Sequence, residues 1–308
     1  MKENIKATIT VSNYASKGIL MACIKALYAQ DCDDYEVILP DLGNFTVEEA
    51  SMLDKFEKEH KTFRILKVRG KNRAELINKA ASISKGNLLL FTESHCIPSK
   101  KWVSNYIKLF EDEKIQVARG SRNSVPCELM ITRCSEAFFQ KIKKDFSFYL
   151  DFHNAAIRKS CFNKMNGVDN KLPRMAEFEL GARMHNNNIR IFQYLENEVY
   201  HIGDKDFFDY ITGVIQQGKE RTNMFFKNDP LFTRRYFPNR RFAKLLPFLK
   251  LFRLPLLLAA KSSIYAGFAG LKLGEYLHLF RLSEACFAFA ARSGAAHGRI
   301  SALKKYKK

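Results

Sequence analysis

Glu93, Ser94 and His95 set a carboxylate and an imidazole, both ligand-forming side chains, one residue apart. They follow Leu88-Leu89-Leu90-Phe91, a short uninterrupted apolar run, with Gly86 before it and Pro98 a few residues beyond. Such a run suits a strand buried on both faces, as in a parallel sheet covered by helices, better than a half-exposed strand. The turn at its carboxyl end is where open α/β sheets bind ligands. Two more side chains of the same kind stand at element boundaries: Glu177 opens a helical stretch, and His201 leaves a short strand.

The elements that must carry these residues alternate in type. Ala7–Val11 reads as a strand, followed by the small polar turn Ser12-Asn13-Tyr14-Ala15-Ser16. Ile19–Ala29 spaces Ile19, Leu20, Cys23, Ile24 and Leu27 as a helix does. Tyr35–Leu39 is a second strand, closed by the turn Pro40-Asp41-Leu42-Gly43-Asn44. Thr46 with Glu49 can form a capping box for a helix that runs to about Lys58. Phe63–Val68 and Arg73–Ser84 give a third strand and helix; the Leu88–Phe91 strand and a helix from about Lys100 to Asp112 complete the series. A β-α succession with short loops predicts a parallel sheet covered on both sides. Beyond it the pattern is less regular. Gln116–Gly120 and Phe146–Asp151 are expected strands with a short helix between them. Lys159–Met165 and Glu177–Asn186 are expected helices, and Ile189–Tyr194 and Glu198–His201 expected strands.

The chain is 46% hydrophobic and 27% charged, a globular composition that excludes intrinsic disorder. Its net charge of +19 is concentrated at one end: residues 230–308 hold 16 Lys/Arg against 2 Asp/Glu, and residues 1–229 hold 35 against 30. From about Arg234 single basic residues alternate with apolar clusters, and Pro238, Pro247 and Pro255 are expected to break the segment into short helices or extended pieces. No charge-free stretch approaches the ~18 apolar residues of a spanning helix. Seven scattered cysteines without a CxxC pair argue against a disulfide framework or structural zinc and favour a reducing compartment. A strand begins within a few residues of Met1, so no signal peptide is expected ahead of the fold.

In this order and spacing the motifs resemble a family 2 glycosyltransferase of the GT-A fold, from about residue 7 to about 225. Val11-Ser12-Asn13-Tyr14 stands where that family has an Ile-Pro-Thr-Tyr-like turn, and Asp41-Leu42-Gly43-Asn44 resembles its Asp-Asp-Gly-Ser. Asn78 matches the Asn of the helix ahead of its Asp-x-Asp strand, and Glu93-Ser94-His95, with Cys96-Ile97-Pro98 and Trp102 after it, takes the Asp-x-Asp position. Gly167-Val168-Asp169 resembles its Gly-Phe-Asp turn, and Glu177-Phe178-Glu179-Leu180 with Arg183 its Glu-Asp-x-Glu-Leu-x-x-Arg helix; Val199-Tyr200-His201 resembles its late histidine. The chain departs from the pattern in two places: Asp-x-Asp has become Glu-x-His, and the Glu-Asp pair has become Ala176-Glu177.

The resemblance implies an α/β, GT-A type (Rossmann-like) domain over residues 1–233, with a mostly parallel sheet covered by helices, and a basic, apolar helical extension over 234–308. It implies that a nucleotide-diphospho-sugar donor meets Ser12, Tyr14, Asp41, Asn78, Glu93 and Ser94, and that Glu93, His95 and His201 hold a divalent metal. One carboxylate and two imidazoles favour Mn²⁺ over Mg²⁺; otherwise His95 hydrogen-bonds a phosphate and His201 caps its strand. Glu177 is then the catalytic base of an inverting transfer, with Glu179 in reserve; its plain alternative is a carboxylate opposed to the helix dipole. Trp102, His153 and Asn154 are weaker candidates for the acceptor, a buried His-Asn pair being the alternative for the last two. Asp41 has an ordinary turn role as its alternative, Tyr14 and Asn78 have packing and capping, and Arg73 could meet phosphate, a solvated helix start being equally open.

The tail suits a surface lying on an anionic cytoplasmic leaflet, at the inner face of the cell membrane. It is too apolar for a typical nucleic-acid arm, and a helical subdomain packed on the catalytic domain is compatible with membrane contact. The expected function is transfer of a sugar to a saccharide or lipid-linked acceptor in polysaccharide or glycolipid biosynthesis. Two readings stand beside it: a related nucleotide-binding protein that has lost turnover, and a basic nucleic-acid-binding protein.

Overall fold

Two apolar strands side by side, Ala7–Ser12 (β1) and Leu88–Glu93 (β4), are buried along their whole length and pair in parallel, Ala7 with Leu88 through to Ser12 with Glu93. The structure, a computed structural model, describes residues 5–12, 19–41, 43, 45–67, 72–125, 129–143, 149–202, 206–227, 249 and 251–305. Tyr35–Asp41 (β2) and Phe63–Lys67 (β3) extend the parallel set beyond β1. On the other side of β4 lie Ala155–Arg158 (β7), Val117–Ser124 (β6), Ile191–His201 (β8) and Cys96–Pro98 (β5), giving the order β3-β2-β1-β4-β7-β6-β8-β5. β4–β7, β6–β7 and β5–β8 are antiparallel, so the sheet is parallel in its first half and mixed in its second.

Alternating side chains bury both faces, as the period of a strand requires. On one face Ile9, Val11, Leu88 and Leu90 pack with Leu20–Tyr28 (α1), Val47–Glu59 (α2) and Trp102–Leu109 (α4). On the other, Leu89 and Phe91 pack with Arg73–Ile83 (α3), Lys159–Lys164 (α6) and Ala176–Asn186 (α7). The capping box forms as read: Thr46 Oγ1 accepts from Glu49 N at 3.1 Å, and Thr46 N donates to Glu49 Oε2 at 2.9 Å.

Three expectations are corrected. The strand placed at Phe146–Asp151 is absent from residues 149–151, its remainder lying outside the described residues. The two strands placed at 189–194 and 198–201 are one, β8, which runs through their polar junction because it pairs with both β6 and β5. The boundary at residue 233 does not coincide with the division of the structure, which falls into Met1–Val125 with Phe148–Ile202, and Pro126–Ser147 with Gly203–Lys308.

The second unit contains Met130–Lys143 (α5), Phe207–Lys227 (α8), Arg253–Tyr276 (α9) and Phe280–Ala302 (α10). Its core joins Cys134, Phe207, Ile211, Ile264, Leu271 and Phe287, so α5 and α8 belong with the tail helices. Gly267 lets α9 and α10 approach: a Cβ there would stand 2.6 Å from that of Ala290. Pro255 does not break α9. It sits in the first turn, where its missing N–H has no helical partner to lose. At 24 residues α9 is long and apolar enough to cross a membrane by length and composition, although Lys261 and Lys272 interrupt it and no charge-free run in it approaches 18 residues. Pro238 and Pro247 lie outside the described residues.

Candidate active site

The carboxyl ends of β1, β2 and β4 lie side by side in the first unit, and Glu93 closes β4 beside Ser12 of β1. Ser94 N donates to Ser12 O at 2.9 Å, which fixes the start of the turn. Arg73 is the first residue of α3, whose N-terminus is held by Asn72 Oδ1 accepting from Ala74 N and Glu75 N. Its guanidinium forks: Nη2 donates to Glu93 Oε1 at 2.6 Å and Nη1 to Glu177 Oε2 at 2.9 Å. Arg73 is buried, so the solvated alternative for it fails. Glu93 and Glu177, far apart in sequence, are two arms of one ion-pair bridge.

Two imidazoles stand beside the other oxygen of Glu93, and a third stands beside them. His95 leaves β4, and His201 ends β8, which the antiparallel register sets opposite Cys96. His153 sits on the turn before β7, whose pairing with β4 (Phe91 with Ala155) points position 153 toward position 93. His95 Nε2 is 3.1 Å from His201 Nε2; Glu93 Oε2 is 3.8 Å from His95 Nε2 and 3.5 Å from His153 Nε2. One ring nitrogen from each histidine lies within 4.8 Å of the other two. Asp151 Oδ1 meets His153 Nδ1 at 2.5 Å and orients that ring.

Burial and charge set the protonation of the group. Burial pushes His95 down to about 4, the nearby Glu93 only partly opposing it. His201 falls well below the usual imidazole range, from burial first and then from Arg122 and the other two histidines. For His153 burial acts in the same direction, but Glu93 and Asp151 outweigh it and raise its pKa. Burial alone would raise Glu93; His153, Arg73 and His95 together hold it below the ordinary carboxylate value. Glu177 is raised by burial, against the pull of Arg73.

The remaining expected residues separate into groups. Asp41 ends β2, and its Oδ1 accepts from Gly43 N at 2.7 Å, the turn geometry of its plain alternative, helped by a positive φ of 75° at Gly43. Asn78, expected at the donor, instead holds the Gly167–Asn170 turn: it accepts from Val168 N and donates to Val168 O and Asn170 Oδ1. Tyr14 lies outside the described residues. Trp102 and Asn154 are corrected: both are buried, and the indole N–H donates to Asn154 Oδ1 at 2.8 Å, leaving no surface for an acceptor. The turn closed by Asn154 N donating to Asp151 O parts the two neighbours, sending Asn154 into this interior network and His153 to the imidazole group. Glu179 is fixed by Arg183 at 2.6 and 2.8 Å, apart from the Arg73 bridge.

Sequence reasoning thus missed Arg73 as the bridge, and His153 with Asp151 as members of the cluster. The signal for His153 was the antiparallel return of β7 alongside β4, which residue spacing does not carry. Three imidazole nitrogens within 4.8 Å of one another, with a carboxylate oxygen beside two of them, fit a divalent cation. The carboxylate of Glu177 beyond Arg73 fits proton transfer.

The comparisons bear on this arrangement. A family model described as Glycosyl transferase family 2 matches residues 8–165, half of the chain. A protein of Bacillus subtilis (strain 168), described as the uncharacterized glycosyltransferase YfnE, is 27% identical over 147 residues, 46% of this chain and 34% of that protein. The chain therefore spans about a third of that relative's length. Among solved structures, the mannosyltransferase PcManGT from Pyrobaculum calidifontis, in complex with GDP-Man and Mn²⁺, has a TM-score of 0.62 at 14% identity, covering 98% of this chain and 88% of that one. TarS 1–349 from S. aureus, in complex with UDP, has a TM-score of 0.54 at 12% identity over 92% and 90%. At these identities the likeness shows the fold, which is GT-A.

Proposed function

The chain belongs to glycosyl transferase family 2, and from that premise we propose that it transfers a sugar from a nucleotide-diphosphate donor to an acceptor hydroxyl with inversion at the anomeric carbon. The observation that carries the reading is the meeting of Glu177, Arg73, Glu93 and the three histidines at the carboxyl rim of β4. In the transfer, Glu177 takes the proton of the acceptor hydroxyl as that oxygen attacks the anomeric carbon. The bond from carbon to the diphosphate breaks on the opposite face, and its electron pair leaves with the nucleoside diphosphate. Arg73 holds Glu177 in place through the attack. Ser12, Asp41 and Ser94 stand on the donor's side of the rim. Glu93, His95 and His201, with His153 added to the set, would hold a divalent cation, which when bound offsets the charge that grows on the leaving diphosphate. Imidazole ligands favour Mn²⁺ over Mg²⁺ here, and the GDP-Man and Mn²⁺ held by PcManGT support both the donor class and the cation.

The acceptor is a saccharide or lipid-linked chain in polysaccharide or glycolipid biosynthesis, reached at the inner face of the cell membrane. Exposed leucines on α9 and the basic tail support that placement. A second reading, nucleotide binding without turnover, draws on the Arg73–Glu177 ion pair, which opposes protonation of Glu177. The test is a thermal-shift screen of UDP-, GDP- and dTDP-sugars with and without Mn²⁺, followed by labelled-sugar transfer or hydrolysis with the stabilising donor. Donor-dependent stabilisation and release of labelled sugar are expected. Stabilisation without release by wild-type protein would favour the second reading, and no stabilisation by any donor would overturn both.

A further inference from the structure

We propose that His95, His153 and His201, with Glu93 Oε2, form a nitrogen-rich metal centre that binds a Zn²⁺-class ion in preference to Mn²⁺ and Mg²⁺, and fills before any nucleotide arrives. The inference rests on the reading of this rim as a cation site and is independent of sugar transfer.

Three of the ligand-atom separations are near those a metal shell needs, and the three imidazole nitrogens all lie within 4.8 Å of one another. Around an ion with bonds of about 2.0–2.2 Å, a tetrahedral shell has edges of about 3.3–3.6 Å. The separations here are 3.1 Å for His95 with His201, 3.5 Å for His153 with Glu93 and 3.8 Å for His95 with Glu93. Each ligand is also held by backbone that the sheet fixes. His95 O accepts from Ile202 N at 3.0 Å, the register sets His201 opposite Cys96, and the turn from Asp151 to Asn154 fixes His153. Closing on an ion requires the widest imidazole pair, which involves His153, to draw in from as much as 4.8 Å, a side-chain movement on fixed backbone.

The donor chemistry then selects the metal. Mg²⁺ requires oxygen ligands and keeps its water, and Mn²⁺ stands lowest among the divalent first-row metals for a nitrogen set, with Co²⁺, Ni²⁺ and Zn²⁺ well above it. An oxygen-ligated site depends on the donor's diphosphate to complete its shell, whereas three imidazoles and a carboxylate do not. Asp151 supplies the supporting carboxylate: with the Nδ1 proton of His153 facing Asp151 Oδ1, Nε2 turns its lone pair toward Glu93 and the other rings. Without an ion, the same side chains are left with ion pairs and hydrogen bonds among themselves, His153 with Glu93 and His95 with His201 among them, and the test decides between the two states.

The full chain, stripped with chelator and free of nucleotide, is titrated with Zn²⁺, Co²⁺, Mn²⁺ and Mg²⁺ by calorimetry, and retained metal is counted after gel filtration. One Zn²⁺ per chain is expected, bound at least about 100-fold more tightly than Mn²⁺, with no Mg²⁺ retained. The Co²⁺ form should show the intense visible absorption of a four-coordinate site. His153→Ala should weaken Zn²⁺ at least ten-fold, and Asp151→Asn by about 10–100-fold. Zn²⁺ no tighter than Mn²⁺, or Zn²⁺ affinity unchanged in His95→Ala/His153→Ala/His201→Ala, overturns the inference. Should a variant fail to fold, the wild-type affinities and Co²⁺ spectrum decide alone. Donor stabilisation measured on the same protein separates the outcomes. Zn²⁺ binding without donor binding sinks the transfer reading only, and donor binding with Mn²⁺ but no Zn²⁺ preference sinks this one only.

Discussion

Arg73 and Glu177 form a 2.9 Å ion pair across 104 residues of chain, and the same guanidinium holds Glu93 at 2.6 Å. The three side chains are 5%, 12% and 5% exposed, so each charge depends on the others for the solvation that water no longer provides. Removing the cation leaves Glu177 buried without its partner and Glu93 with only the histidines to offset its charge. Arg73→Met is therefore expected to lose about 3–5 kcal/mol, read as a shift of the urea midpoint. Arg73→Lys should recover part of it, because an ammonium cannot fork to two carboxylates as a guanidinium does. A variant within about 0.5 kcal/mol of wild type would show that the bridge is not a structural member.

Glu177→Gln keeps the shape of the side chain and one hydrogen-bond acceptor for Arg73, but removes the base. The expected result is a fall in kcat of about 10²–10⁴-fold, with donor affinity within two-fold of wild type on thermal shift. A variant that keeps a tenth or more of wild-type turnover assigns the proton to another group.

The acid limb of the pH profile should belong to the same residue. Burial raises Glu177 above the ordinary carboxylate value of 4.5, Arg73 only partly offsetting it. A base works unprotonated, so kcat/KM should rise with pH through this raised pKa and flatten above it, placing the acid limb higher than a free carboxylate would. The limb should vanish from the residual activity of Glu177→Gln. A limb at or below 4.5, or one that survives the substitution, contradicts the assignment.

Asn154 serves the interior and not an acceptor. Its Oδ1 accepts from Trp102 Nε1 at 2.8 Å and from Tyr106 Oη at 2.7 Å, while Nδ2 donates to Ser121 O and Asn197 O, both at 2.7 Å. Asn154→Ala strands several buried groups at about 1–3 kcal/mol each, so a loss of at least about 2 kcal/mol is expected in chemical unfolding. Acceptor KM in the folded fraction should not change. A stable variant with raised acceptor KM would restore the acceptor role.

The first half of the fold was legible because each β-α step writes a local signature: ATITV, YEVIL and NLLLF are apolar runs, and Thr46 with Glu49 marks a helix start. Glu93, His95, Glu177 and His201 were legible as chemical side chains at element ends, and three of them share the imidazole group or its carboxylate. What could not be read is who lies beside whom across antiparallel pairs. Ala155 opposite Phe91 and His201 opposite Cys96 are facts of register, and they decide that His153 joins the cluster and Asn154 does not. Arg73 was misjudged because helix starts are normally wet; here α3 begins over the rim, with its guanidinium 5.7 Å from the Phe152 ring. In β8 the polar pair Glu196-Asn197 hid a continuous strand whose Asn197 is buried and donates to Trp102 O.

The last prediction concerns α9. Leu254, Leu258, Tyr265 and Leu273 are each more than half exposed, and Arg253, Lys261 and Lys272 lie on the same helix. Burying one such leucine is worth about 1.5–3 kcal/mol, and each basic residue near an anionic leaflet adds about 1 kcal/mol. Lipid binding built from both terms should respond to both. The full chain is expected to sediment with vesicles containing an anionic lipid, and Leu254→Glu/Leu258→Glu should lower that partition at least ten-fold. Raising salt should weaken the electrostatic part and leave the apolar part, since screening acts only on charge. Partition abolished by salt and untouched by the double substitution would mean that charge alone attracts the tail, and the leucines of α9 would then face something other than lipid.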